Sequence, residues 1–226
     1  MTAEPQSSGP EAGVVYGVVE RLVARYGAEP YGEEAAAARE EYFALAGRIF
    51  EDDGELFETR MASFLEWYVL ERPFGGKTDT PALCWLQGDG AALSVPERQA
   101  LALVAASHRS LFEVENVQPG AISVRDVIGG ARFLVSERRS TIGFQPGDLL
   151  EGRVIASAQG VLFGKTFLFH PRDAREQMLA LVEAGTASGA TRDALVFQLS
   201  RLHLRWHRQR HIGAARVYGE WQVRQS

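Results

Sequence analysis

The stretch from 110 to 170 limits what this chain can fold into more than any other part of it. Apolar runs of five to eight residues alternate there with turns built on Gly and Pro, whereas both flanks carry helical spacing. Short runs of that kind describe the strands of a small, strongly bent antiparallel sheet. We place strands at 111–117, 121–126, 132–136, 149–156 and 161–169. The turns between them are Gln118-Pro119-Gly120, Ile128-Gly129-Gly130, Gln145-Pro146-Gly147-Asp148 and Gln159-Gly160. Pro followed by Gly at the two central positions suits a type II turn, because Pro presets the first φ and Gly accepts a positive second one. Five such strands suggest a small SH3-like or OB-like barrel.

The flanks supply the rest of the architecture. Residues 1–12 are polar and rich in Pro, Ser and Gly, the composition of a disordered tail. Val15, Val18, Val19, Leu22 and Val23 make an amphipathic helix of 14–26, and a second helix is expected at 33–51, closed by Asp52, Asp53 and Gly54. Over 57–70, Phe57, Met61, Phe64, Leu65 and Tyr68 form one apolar stripe; Trp67 and Leu70 widen it, and Pro73 stops the helix. Residues 73–92 read as a loop-rich connection. Ser94-Val95-Pro96-Glu97 has capping-box spacing and opens a helix to about 106. After His170-Pro171 come a helix at 172–183 with Gly185 at its stop, and a last helix from Thr191 to about 211 with Leu195, Leu199, Leu202 and Trp206 inward. The fold class is therefore α+β: N-terminal helices, a five-stranded small antiparallel barrel-like sheet, and two C-terminal helices. The expected division is a disordered tail at 1–12, a helical subdomain at 13–109, the small barrel at 110–170, and C-terminal helices at 171–226 packed on the rest, with the aromatic helix 57–70 as the hub.

Composition narrows the setting. Cys84 is the only cysteine of 226 residues, so no intramolecular disulfide can form and a reducing compartment is expected. No run approaches the length of a membrane span, and residues 1–10 lack the basic and apolar regions of a secretory signal. The expected location is the cytoplasm. Twenty-two arginines against two lysines, with abundant Ala and Gly, fit a GC-rich bacterial genome. The net charge of −5 conceals an asymmetry: residues 1–60 hold 13 acids and 5 bases, while residues 192–216 hold 6 Arg and 1 Asp. An acidic front and a basic tail can pair within the molecule, pair between copies, or serve different partners.

No motif of chemistry survives its own spacing rule. Gly164-Lys165-Thr166 resembles the end of a phosphate loop, but Gln159 stands where the upstream Gly is required, and the following residues read as strand. Gly75-Gly76-Lys77-Thr78 fails likewise, with Glu71 at the upstream position. His203, His207 and His211 share one helix face, but Arg201, Arg205, Arg208 and Arg210 surround them and would repel a dication. His108 and His170 sit at element ends and read as caps or surface residues. Cys84, beside Trp85 in an apolar run, reads as a buried, inert thiol. Asp52, Asp53 and Glu55 read as a helix end. No metal site, cofactor site or nucleophile constellation is expected.

Several segments carry a resemblance. Phe64-Leu65-Glu66-Trp67-Tyr68-Val69-Leu70-Glu71-Arg72-Pro73, Leu93-Ser94-Val95-Pro96-Glu97-Arg98, Ser110-Leu111-Phe112-Glu113-Val114, the run at 124–127 and Gln145-Pro146-Gly147-Asp148 are similar to a loose group of uncharacterised bacterial proteins. In that group an F-x-E-W … R-P helix end precedes a small β module, and some members carry a SEC-C zinc tail. The resemblance covers about 55–170 and implies no activity. With one cysteine, this chain cannot have the zinc tail.

The leading functional expectation is a non-catalytic cytoplasmic adaptor or regulatory protein. It would bind a partner protein, such as a small GTPase or its regulator, through the sheet or the last helix. Candidate partner-binding residues are Arg201, Arg205, Arg208, Arg210, Arg138 and Arg139. Two other classes stay open. A nucleic-acid-binding barrel would use Arg132, Arg138, Arg139 and the arginines of 201–210; an enzyme would need a site assembled only in space. Self-association is a further option for the same surfaces.

Overall fold

Eight α-helices surround one six-stranded sheet among the described residues. The computed structural model describes residues 9–88, 92–136, 143–158 and 160–223. The first half is helical: α1 (Ala12–Tyr26), α2 (Gly32–Ala46), α3 (Glu55–Leu70), α4 (Pro81–Gln87) and α5 (Val95–Ala105). The sheet holds β1 (His108–Gln118), β2 (Ala121–Asp126), β3 (Arg132–Ser136), β4 (Leu149–Ser157), β5 (Gly160–Phe163) and β6 (Leu168–Phe169). The chain ends with α6 (Arg175–Ala187), α7 (Arg192–Arg208) and α8 (Ala214–Val223).

The α+β expectation holds, and the sheet closes on itself. The pairing runs β1-β2-β3-β5-β4, and β4 returns to β1. All ladders are antiparallel except β3–β5, where Val135 faces Val161. This five-strand ring has OB-type connectivity. Closure depends on a bulge in β1 between Val114 and Asn116. It bends the strand, so that His108–Glu113 pair with β4 while Phe112–Gln118 pair with β2. The turns follow the expected chemistry: Gly120, Gly130 and Gly147 all have positive φ. The Asp148 carboxylate accepts from the Gln145 amide at 2.7 Å and locks its turn. The turn at Gln159 lies outside the described residues.

Strand alternation divides the apolar residues among three main cores, and Leu168 of β6 packs in a fourth, smaller one with Leu56 and Leu204. Phe112, Val114, Ile122, Val124, Val135, Leu150, Val154 and Phe163 fill the barrel interior. Their neighbours point outward. Leu111 and Leu149 pack with Met178, Leu181, Leu195, Leu199 and Tyr218 of the C-terminal helices. Ile155 and Leu162 join the helical core around Tyr42, Phe64, Trp67 and Tyr68. Helices therefore cover the β1–β4–β5 side of the barrel, whereas Leu134 on β3 stays exposed. α3 is the expected hub: Phe64, Trp67 and Tyr68 are all buried in the helical core.

The structure corrects several local expectations. The expected strand at 161–169 breaks into β5 and β6 at Gly164, where a Cβ would lie 3.2 Å from the Arg153 Cβ. Residues 73–92 contain α4, opened by Thr80, whose hydroxyl accepts from the Leu83 amide, with Pro81 in the first turn. The expected helix at 33–51 stops at Ala46, and Glu51–Asp53 form a 3-10 turn instead. The two expected C-terminal helices are joined by a third, α8. Helix α6 runs past Gly185, where a Cβ would fall 2.3 Å from the Leu195 methyl; this Gly lets α7 approach and does not end the helix. Of the twelve residues expected as a disordered tail, 1–8 lie outside the described residues. Pro10 is buried and accepts from the Ala158 amide at 3.0 Å, and Ala12 opens α1.

Candidate functional site

Helix α7 carries three of the six candidate arginines, Arg201, Arg205 and Arg208, and the structure gives them unequal roles. Thr191 caps the helix through the Ala194 amide at 3.2 Å, and Leu195, Val196, Leu199 and Leu204 face inward. Arg201 reaches the end of α2, donating to the carbonyls of Ala44 at 2.7 Å and Leu45 at 2.8 Å. Buried Arg60 of α3 adds a bond to the Ala46 carbonyl. Three carbonyls at a helix C-terminus, which carry partial negative charge, are thus sealed by guanidinium groups. Arg208 donates to the Asp53 carboxylate and the Arg48 carbonyl, and lies 5.2 Å over the Phe50 ring. Arg205 pairs with Glu220 of α8. Arg210 stands over Trp206. The acidic front and basic tail therefore meet within the molecule at Asp53 and Arg208. Arg138 and Arg139 lie outside the described residues.

These arginines border exposed apolar surface. Leu45 is 40% exposed and Phe50 59%. A groove of about 520 Å³ runs between the end of α2, α7 and α8, floored by Leu45, Phe197, Leu202 and Trp221 and edged by Arg201 and Arg205. A second cleft of about 290 Å³ adjoins it and shares both arginines, with Gly47, Arg48 and Arg208 beyond.

A different cluster, invisible in the sequence, lies where three element ends converge. Glu71 follows α3, Ser107 to Arg109 lead from α5 into β1, and Thr191 to Asp193 open α7; together they line a cavity of about 280 Å³. Arg109 and Arg153 face each other across the β1–β4 ladder. Like charges at that spacing repel, and Glu71 separates them. One of its carboxylate oxygens accepts from Arg153, and the other lies 3.7 Å from Arg109 Nη2. Arg109 is 6% exposed, with its guanidinium 4.8 Å over the Phe197 ring and Nη1 donating to the Tyr42 hydroxyl at 3.4 Å. Its Nε and Nη2 make no hydrogen bond, nor does Glu71 Oε2. Burial pushes the Glu71 carboxyl up, but Arg153 and Arg109 outweigh it and hold it below the usual range. Asp193 goes the other way, raised by burial and by the charge of Glu71. Behind the cavity, His108 Nε2 lies 3.3 Å from Asp126. Asp126 also accepts from Ser110 and from the amides of Ile128 at 3.0 Å and Gly129 at 2.9 Å. Burial raises the Asp126 carboxyl, yet His108, Ser110 and the Gly129 amide together take it down to about 2.

His170 is not the cap or surface residue its position suggested. It is buried, with Nδ1 2.7 Å from the Tyr218 hydroxyl and Nε2 3.2 Å from Glu151, and Glu151 also accepts from Ser200 at 2.6 Å. The chain ties β4, α7 and α8 together through buried polar atoms that satisfy one another. His203 is also buried, and burial, followed by the charges of His170 and Arg60, pushes it down to about 2. Among the described residues, no three His, Cys, Asp or Glu side chains are grouped to hold a metal ion. Cys84 is part-exposed, on α4, beside the buried Trp85. Lys165 of the failed phosphate loop pairs with Glu20. On the barrel, Arg132 donates to both oxygens of Glu115, at 3.0 and 3.1 Å, and Arg125 pairs with Glu113 at 2.6 Å. No helix among the described residues is long and apolar enough to cross a membrane.

Fold and surfaces together define an α+β protein with a helix-clad OB-type barrel, a basic-edged apolar groove and a polar junction cavity. Residues 44–201 match the model of a family of unknown function, DUF7986, and the chain belongs to that family. No curated protein and no solved structure matches the chain.

Proposed function

We propose that this protein is a non-catalytic adaptor that holds an acidic, amphipathic segment of a partner protein in the groove between α2, α7 and α8. The observation behind this reading is exposed Leu45 in the groove edged by Arg201 and Arg205, with exposed Phe50 under Arg208 beside the adjoining cleft. Large apolar side chains exposed together mark an interaction surface. Arg48, Arg205 and Arg208 are paired with Glu40, Glu220 and Asp53, so the rim charge that favours acidic flanks on the occupant is that of Arg201, whose partners are backbone carbonyls. Burying two or three apolar anchors contributes about 1.5–3 kcal/mol each, from which the cost of immobilising and ordering the segment is subtracted, so the expected binding is weak, at about micromolar to millimolar Kd. The nucleic-acid reading is weaker, because Arg132 and Arg125 on the barrel are already neutralised by Glu115 and Glu113. On this reading the Phe64-to-Pro73 segment has a scaffold role: it carries Glu66 and Glu71 from the end of α3 to Arg153 of the barrel.

The test is a selection from a displayed library of random peptides on the full chain, repeated on Leu45→Glu and Phe50→Ser. The expected winners combine Asp or Glu with Leu, Phe or Trp at helical spacing and lose binding to both variants. Basic winners, or winners indifferent to both substitutions, refute the groove as the partner site. Pull-down from host lysate with and without nuclease decides the rival: bound material that vanishes with nuclease supports a nucleic-acid surface.

A further inference from the structure

We propose that the cavity between the ends of α3 and α7 and the start of β1 binds a small zwitterion of the α-amino-acid class. The lining is divided by sign. Glu71 and Asp193 offer carboxylates; Arg109 and Arg192 offer guanidinium groups, with His108 beside them. A simple anion would meet the two carboxylates, and a simple cation would meet the two arginines. A molecule with an ammonium a few bonds from a carboxylate meets both sets with opposite signs.

The interior of the cavity is built rather than incidental. The Arg109 side chain is more than nine-tenths buried and held by stacking on Phe197 and by the Tyr42 hydroxyl. Its Nε and Nη2 nevertheless make no hydrogen bond, and the facing Glu71 oxygen, 3.7 Å away, makes none either. Buried charged atoms are nearly always hydrogen-bonded, because leaving them unmatched is costly. Here a buried guanidinium and a buried carboxylate form an ion pair at 3.7 Å that falls short of a hydrogen bond, at the inner wall of the cavity. The carboxyl of Asp193, whose proton affinity burial and Glu71 raise, gains from a cation placed beside it. The rim is formed by the part-exposed side chains of His108 and Arg192. At about 280 Å³ the space lies at the foot of the range for small-molecule sites, roughly 300–1,000 Å³.

The experiment is calorimetric and NMR titration of the full chain with each common L-amino acid, using acetate, methylammonium and inorganic phosphate as single-charge controls. We expect at least one amino acid to bind in the millimolar range or tighter, and the controls to bind at least about tenfold more weakly. Asp193→Asn, at an exposed position, should weaken binding about tenfold or more while leaving the circular dichroism and the melting curve unchanged; Arg192→Gln should weaken binding as much, with a lower melting temperature from the loss of its pair with Asp126. The proposal is overturned if no amino acid binds, if a single-charge control binds as tightly, or if both folded variants bind as the parent does. None of these variants touches Leu45 or Phe50, so failure here leaves the partner groove standing, and failure there leaves this site standing.

Discussion

Arg153→Met isolates the joint between barrel and helices. Arg153 is 1% exposed and reaches three groups on two helical elements: Glu66 at 3.6 Å, Glu71, and the Ser107 hydroxyl at 3.2 Å. Methionine keeps most of the apolar stem and removes the guanidinium, its charge and its N–H donors together. Removing one partner of a buried ion pair costs about 3–5 kcal/mol, because the other charge is left uncompensated. Arg109 still faces Glu71 at 3.7 Å, so we expect the lower end, about 3 kcal/mol, a large share of a typical total of about 5–15 kcal/mol. The sign of the pH dependence follows. Burial already raises Glu66 despite Arg153, and losing the guanidinium raises it further and lifts Glu71 as well. An acid whose folded pKa exceeds its unfolded value stabilises the fold as pH falls, so the deficit of the variant should narrow between about pH 7 and about pH 5. The assay is urea unfolding followed by the fluorescence of buried Trp67 and Trp85. A deficit below about 1 kcal/mol at neutral pH would refute the uncompensated-charge reasoning, as would a deficit that stays constant on acidification. Adding Glu66→Gln to the variant should recover part of the loss, with Glu71 left in place as the partner of Arg109.

Three other perturbations have definite expected outcomes. Arg201→Ala leaves the Ala44 and Leu45 carbonyls without their donor and should cost about 1–2 kcal/mol, while Arg210→Ala should stay within about 0.5 kcal/mol; thermal melts of the pair decide it. Gly17 lies within α1 with open space at its Cβ position, whereas Gly147 has φ +87. Gly17→Ala should therefore stabilise by about 0.5–1 kcal/mol and Gly147→Ala destabilise by about 1–2 kcal/mol, read as opposite shifts of the urea midpoint. Asp126 is held at about 2 in the fold, so its contribution is present above its unfolded value and is lost as pH falls from about 4 to about 2. Asp126→Asn should flatten that acid limb of a stability-versus-pH series.

The barrel was the most legible part of the fold, because each of its cues is local. Gly120, Gly130 and Gly147 mark turns that need positive φ, and the apolar alternation at 121–126 and 132–136 matches β2 and β3 to the residue. What failed was non-local. The last strand ends at Phe163, and the Gly164 amide beyond it still donates to the Arg153 carbonyl at 2.7 Å, where the Arg153 side chain leaves no room for a Cβ, which no neighbour in sequence announces. Gly185 resembled a helix stop because the approach of Leu195 is a tertiary event. Helix α4 is short and set among Gly and Pro, yet Thr80-Pro81 was a readable start. The groove was half legible, since Arg201, Arg205 and Arg208 showed a basic face, but their use in capping α2 and binding Asp53 depends on contacts across some 150 positions. The cavity was not legible at all. Glu71, His108, Arg109 and Asp193 share no spacing rule along the chain, and only the convergence of three element ends makes them a cluster.

Phe197 has Arg109 against its ring on one side and contributes to the floor of the α2–α7–α8 groove on the other. A rigid aromatic plate of this kind cannot be displaced from one side without a response on the other. A molecule that draws the Arg109 guanidinium toward the cavity alters the support beneath the groove, and a segment pressed against Phe197 alters the seat of Arg109. Any such coupling must be reciprocal: the factor by which one occupant changes affinity for the second equals the factor in the reverse direction. One phenyl ring thus gives two otherwise separate surfaces a common thermodynamic cycle.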